Sequence, residues 1–185
     1  VSQGASERKS QSPSAALASD PLARHFMMGE FKAVLPSELR YTTNHMWAAP
    51  AVDTTSGDAN AANIEAEHGR WRFGLTAYAV RLLQDVYFLD WVVEPPTAIT
   101  RRQQLGSIES KKAESDLYAP AAGQLIAFNE EALNDPSVIN VDIYGGGWLF
   151  ELAPANAGDL LDIDAYLAHL DQAWVVAQRT IKGQV

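Results

Sequence analysis

Hydrophobic and polar positions alternate in short runs along most of this chain, and only its last segment shifts to a helical period. Trp71-Arg72-Phe73 alternates and stops at Gly74, which predicts a strand. Thr76 then stands where a side-chain cap would open a short helix through Ala77, Tyr78, Val80, Leu82 and Leu83. Val86 to Val93 is β-branched and aromatic and ends at Pro95-Pro96, a strand with a hard boundary. Leu105 to Ser110 and Leu117 to Ala119 read as two strands flanking a charged turn, and Gln124 to Phe128 as a third. Asn129 is placed to cap one helical turn whose Glu130 and Glu131 favour the positive helix end. Three glycines open a last strand, Trp148 to Leu152. From Asp159 onward Ile163, Tyr166, Leu167, Leu170 and Trp174 recur at three- and four-residue intervals, so a C-terminal helix packs on the sheet by that stripe. Many short strands with one substantial helix predict a mainly β fold, a small barrel or sandwich.

Two stretches lack any such pattern. Residues 1–24 are rich in Ser and Ala with scattered charge, too poor in large apolar groups to offset the entropy of ordering, and read as a flexible tail. Residues 50–69 are Ala-, Asp-, Thr- and Asn-rich and read as an exposed loop or weak hairpin. With structured signals starting near Arg40, the expected division is an N-terminal extension over 1–37, a folded domain over 38–175 and a tail over 176–185.

Composition narrows the functions available. The 185 residues carry a formal net charge of −9, which resolves into +1 over residues 1–40 and −10 over the rest. An acidic body argues against phosphate backbones and anionic lipid surfaces as partners, since binding to both rests on Lys and Arg. No apolar run approaches the ~18 residues of a membrane-spanning helix, so neither nucleic acid nor membrane is an expected partner. The chain has no cysteine, which removes disulfides, thiolate metal sites and thiol nucleophiles. The four histidines show no two-ligand spacing on one helix face, so no metal is expected. Any redox or acyl chemistry must come from a bound group.

The candidate chemistry lies in the turn Glu109-Ser110-Lys111-Lys112-Ala113-Glu114-Ser115-Asp116, which sets two lysines among acids between two short strands. An ordinary solvated hairpin tip would look the same. A tight hairpin also projects a side chain from a rigid base, which a carrier arm requires. The surrounding acids either guide partners to one lysine by charge complementarity or merely pair with the lysines.

Read in order, Tyr41-Thr42-Thr43-Asn44-His45-Met46-Trp47, Gly74 to Ala79, Asp85 to Phe88, Glu109 to Pro120, Gly123, Asn129-Glu130 and Asn140 to Leu149 resemble the H protein of the glycine cleavage system. The resemblance spans residues 40–170. It implies a lipoyl-domain-like barrel-sandwich hybrid and a carrier rather than an enzyme. A lipoate covalently attached to a hairpin lysine would shuttle the aminomethyl group of glycine between glycine decarboxylase and aminomethyltransferase. Dihydrolipoyl dehydrogenase and lipoylating enzymes are the further partners implied. The protein would be a monomer in the cytoplasm, or in the mitochondrial matrix of a eukaryotic host. In the family the modified lysine precedes Ala-X-Ser-Asp, and Lys112 meets that register whereas Lys111 does not. Asn44, His45, Met46 and Asp116 are implied to line the groove where the arm rests.

The chain departs from the family at several points. Its first block usually reads His-Glu-Trp, but Met46 takes the place of that glutamate, beside which the loaded arm parks. Ala77 stands where Asp is usual, and Thr100-Arg101-Arg102-Gln103 where a glycine-containing turn is favoured. Two alternatives therefore stay open: an H-like lipoate-binding protein with another cargo, as in sulfur oxidation, or an unmodified H-like interaction module.

Overall fold

The computed structural model describes residues 22–51 and 69–182. The unpatterned start of the chain and the 50–69 loop lie for the most part outside those residues.

Eleven strands, four α-helices and one 3-10 turn (Ala157–Asp159) follow one another among the described residues. The first strands are β1 (Arg24–Met28), β2 (Phe31–Leu35), β3 (Arg40–Tyr41), β4 (Met46–Pro50) and β5 (Trp71–Leu75). Helix α1 (Ala77–Leu83) leads to β6 (Val86–Trp91), β7 (Thr97–Ile99), β8 (Gln104–Ser110), β9 (Glu114–Tyr118) and β10 (Gly123–Phe128). Helices α2 (Glu130–Asn134) and α3 (Val138–Val141), strand β11 (Trp148–Pro154) and helix α4 (Ile163–Lys182) complete the chain. The fold is mainly β with short helices and a C-terminal helix, as the alternation predicts. All pairings are antiparallel, in a six-stranded sheet ordered β3-β4-β5-β11-β10-β7, a three-stranded sheet β6-β8-β9 and the ribbon β1-β2. The two larger sheets share one apolar core without closing into a continuous barrel.

Local chemistry accounts for the element ends. Thr76 Oγ1 accepts from the Ala79 N–H at the start of α1, and Asn129 Oδ1 accepts from the Glu131 N–H at the start of α2. Each cap satisfies one of the donors a helix start leaves open. Asp162 does the same for α4 through the Ala165 N–H.

The first core is lined by inward residues of both large sheets, among them Phe73, Leu105, Ile108, Leu125, Phe150 and Leu152, all fully buried. A second core joins Phe26, Met28, Ala33 and Leu35 of the ribbon to Tyr41, Trp47, Tyr78, Tyr144, Tyr166 and Leu170. The predicted stripe of α4 enters this second core, where Tyr166 stacks on Tyr41 at 4.6 Å. It thus packs on β3 and the N-terminal ribbon rather than broadly on the sheet.

The structure differs from the sequence expectation at both ends of the domain. The ribbon lies inside the segment assigned to the N-terminal extension, and α4 continues into the segment assigned to the C-terminal tail, as far as Lys182. The reason is packing between distant parts of the chain. Phe26 and Met28 on one strand, Ala33 and Leu35 on the other, turn one face to the second core, and Phe26 meets Trp174 edge-on at 6.5 Å. A two-stranded ribbon is marginal by itself and persists by docking its apolar face.

Candidate functional site

The turn Ser110-Lys111-Lys112-Ala113 closes β8 onto β9 through three hydrogen bonds. The Ser110 N–H donates to the Ala113 carbonyl at 2.9 Å, the Ser110 hydroxyl donates to the same carbonyl at 2.8 Å, and the Ala113 N–H donates to Ser110 Oγ at 3.2 Å. Ser110 is itself buried, so the tip stands on a fixed base.

The two lysines are not equivalent. The Lys111 N–H is shared between the carbonyls of Gln84 and Asp85, at 3.1 and 3.3 Å, and its ammonium lies 3.9 Å from the Asp85 carboxylate. That exposed pair contributes little, but the backbone contact ties the tip to the end of α1. Gln84 and Asp85 both adopt left-handed φ values, 57° and 42°, so the chain reverses sharply beneath the tip. Lys112 is exposed, has no ion-pair partner among the described residues, and borders a groove.

This groove of about 510 Å³ runs between the hairpin, α1 and the loop before β4. Its apolar lining comes from Met46, Leu75, Ala79, Leu82, Leu83, Ile108 and Leu117, with Ala177 of α4 at one wall. Asn44, His45, Ser115, Asp116 and Tyr118 supply polar groups. Lys112, Asp116, Asn44, His45 and Met46, the five residues singled out in the sequence, therefore all border one groove.

Their partners define what each can do. Asn44 joins the two large sheets: its Oδ1 accepts from the Thr42 hydroxyl at 2.6 Å, and its Nδ2 donates to the Tyr118 carbonyl at 2.9 Å. Met46 is almost fully buried at the groove floor, with its sulfur 3.9 Å from Asn44 Nδ2. Asp116 is held on both oxygens, by Gln104 Nε2 at 2.8 Å and the Tyr118 hydroxyl at 2.9 Å. The hydrogen bond to Asp116 first, and its negative charge second, push the Tyr118 phenol above its ordinary range.

His45 occupies a left-handed backbone position, φ 63°, with its ring 4.7 Å from that of Tyr78. Burial first, and the nearby His169 second, lower its pKa to about 4. A neutral His45 fits its neighbours: Nδ1 lies 3.2 Å from the Tyr166 hydroxyl, which lies 3.1 Å from Thr76 Oγ1. Thr76 donating to Tyr166, and Tyr166 to His45, satisfies all three groups while Thr76 still caps α1. Burial raises the Tyr166 phenol, which keeps its proton and can serve as that donor.

Leu75, Ala79, Leu82, Leu83, Tyr118 and Ala177 were not marked as site residues by the sequence. Ala79, Leu82 and Leu83 did carry a signal, the three- and four-residue spacing of one helical face. Ala177 carried none, because its place follows from how α4 crosses the second core.

A family model described as the glycine cleavage H-protein matches residues 58–173. The chain belongs to the glycine cleavage H-protein family. The glycine cleavage system H protein of Chromobacterium violaceum is 37% identical over 135 residues, covering 71% of this chain and 93% of that one. The glycine cleavage system H protein of Aromatoleum aromaticum is 38% identical over 142 residues, covering 75% of this chain and 98% of its own. In three dimensions the chain is similar to the crystal structure of a glycine cleavage system H protein from Mycobacterium marinum. There the TM-score is 0.59 at 34% identity, covering 74% of this chain and 99% of that one. These matches cover nearly all of each relative but leave out about a quarter of this chain, and the ribbon β1-β2 lies before the family model's span.

Proposed function

We propose that this H-family chain is a carrier and not an enzyme, with Lys112 amidated by lipoate. In this reading it takes the aminomethyl group of glycine from glycine decarboxylase, passes it to aminomethyltransferase and is reoxidised by dihydrolipoyl dehydrogenase. The observation that carries the reading is the pairing of an exposed lysine on a hydrogen-bonded turn with an adjoining apolar groove. The residues present fit a lipoyl group: its aliphatic chain and dithiolane match a lining of Leu, Ile, Ala and Met, and the acceptor nitrogen stands clear of ion pairs. When bound, such a group supplies the thiol–disulfide chemistry that a chain without cysteine lacks. The protein's own part is positional. The Ser110–Ala113 bonds and the Lys111 backbone anchor fix where the arm begins, Asn44 fixes the loop before β4 to β9, and the groove offers a largely apolar resting place. Attachment to a rigid hairpin keeps the arm's origin constant as partners change.

A second reading rests on one observation. Asp116, the sole acid among the described groove-lining residues, already accepts one hydrogen bond on each oxygen, and Met46 is a thioether, so the groove offers an aminomethyl ammonium a single carboxylate that other donors share. This favours an H-like lipoyl carrier with an uncharged cargo.

Mass spectrometry of protein from lipoate-replete host cells tests the common part. A lipoyl amide is expected on the Lys112 peptide, retained in Lys111→Arg and lost in Lys112→Arg; an unmodified Lys112 in the native protein sinks both readings. The lipoylated protein with its host's decarboxylase then separates them, since exchange of the glycine carboxyl carbon with bicarbonate is expected for the first and absent for the second.

A further inference from the structure

The turn between β7 and β8 carries Arg101 and Arg102, adjacent and both exposed in a chain that is otherwise strongly acidic. Neither side chain has a hydrogen-bond or ion-pair partner among the described residues. The turn itself is tightly held. The Gln103 N–H donates to the Thr100 carbonyl at 3.1 Å, the Thr100 N–H donates to Gln103 Oε1 at 3.0 Å, and the Arg102 N–H donates to the Ala119 carbonyl at 2.9 Å.

Arg102 adopts φ 65°, a left-handed conformation that a residue with a Cβ occupies at a cost and glycine occupies freely. That conformation is maintained by the bond to Ala119, and it presents an unpaired guanidinium. Beside it lies a depression of about 310 Å³ lined by Thr43, Asn44, Arg101, Arg102, Tyr118 and Pro120, together with Ala119. Asn44 and Tyr118 border both this depression and the arm groove, so the two adjoin. The hairpin presents the opposite balance: Asp85 at its base and Glu109, Glu114 and Asp116 along its strands outnumber Lys111 and Lys112 at its tip, and amidation of Lys112 would widen the difference.

The geometry points to a docking surface: Arg101 and Arg102 engage an acidic segment on an enzyme that receives the arm, while the acidic hairpin faces that enzyme's basic side. This inference rests on the carrier reading above and adds to it the element that orients the partner. A surface with acid at one end of the groove and base at the other lets an enzyme with the complementary arrangement approach in one orientation, with its entrance over Lys112. Planar guanidiniums suit carboxylates, and the exposed pair beside Tyr118 and Pro120 provides an open shelf rather than converging donors around a small anion.

The test measures association of the lipoylated protein with glycine decarboxylase and with aminomethyltransferase from the same host, at low and high salt. Four proteins are compared: wild type, R101E/R102E, R101K/R102K and R102G. The association rate of R101E/R102E with at least one enzyme is expected to fall by about tenfold at low salt, and less at high salt, because charges at an interface rim act mainly on encounter. R101K/R102K keeps the charge and falls less. R102G weakens binding while its thermal unfolding midpoint stays level or rises, since glycine relieves the left-handed position; it also keeps the test decisive should the double reversal fail to fold. Association rates of the reversed and glycine variants within about twofold of wild type for both enzymes would overturn the inference, as would a wild type that binds neither. Saturable binding of inorganic phosphate at the arginines with unchanged enzyme association would overturn it too, marking a small-anion site. Lys112 modification, read by mass in the same preparations, reports on the carrier reading separately.

Discussion

At the scale of single residues, His45 shows how a buried ring couples the site to pH. Its folded pKa of about 4 lies below the ~6.5 of an unfolded histidine, so folding favours the neutral ring. The stability this contributes is present in full above pH ~6.5 and is lost as pH falls from there to about 4. The loss is on the order of 2–3 kcal/mol, set first by burial of His45 and second by His169, whose ring lies 5.3 Å away. Urea unfolding of wild type and His45→Gln across this range should show the wild type losing the excess and the variant a flatter dependence. Parallel curves would mean that His45 titrates as a solvated histidine. At the same scale, the exposed place of Lys112 at the hairpin tip was legible in the sequence because it depends only on neighbours in the chain. The restraint of Lys111 was not, since its backbone partners are contributed by Gln84 and Asp85.

At the scale of elements, period and caps predicted the strands and helices whose packing is settled by near neighbours. β5, α1, β6, β8, β10, β11 and α4 all follow their apolar patterns. The ribbon β1-β2 escaped because its signal is two buried residues on each short strand, with Lys32 and Arg24 exposed between them and solvent. β7 is three residues between Pro96 and Thr100, too short for alternation to register. α3 follows Asp135-Pro136-Ser137, a sequence that reads as a turn until Ile139 is seen buried beneath it. One glycine is essential to the hairpin that bears Lys112. A Cβ on Gly106 would lie 2.0 Å from the Asp90 carbonyl and 2.8 Å from the Trp91 ring, so β6 and β8 can approach closely only with glycine there. Gly106→Ala should destabilise the fold by about 1–3 kcal/mol, by forcing those strands apart. Chemical denaturation checks the loss, and slower lipoylation of Lys112 would show that the displaced strand carries the tip with it.

At the scale of the molecule, two cores divide the labour. The first supports the strands of the hairpin; the second joins the start of the described chain to its end and holds α4 in place. Leu35 is fully buried in the second core although sequence patterning placed it in an extension. Leu35→Ala should therefore cost about 2–5 kcal/mol, measured as a lowered denaturation midpoint, whereas a residue of a loose extension would change nothing. The charge distribution is also a property of the whole: +1 over the first forty residues against −10 afterwards, with Arg101 and Arg102 as a local exception beside the groove.

One wall of the groove belongs to α4, through Ala177, while the lysine belongs to the β8–β9 turn. On the carrier reading the attachment point lies on the turn, while the space in which the arm would rest is shaped in part by a helix far away in the chain. Substitutions along the C-terminal helix would then reshape what the arm shelters without touching the turn that bears the lysine. On that reading the fold separates loading from lodging.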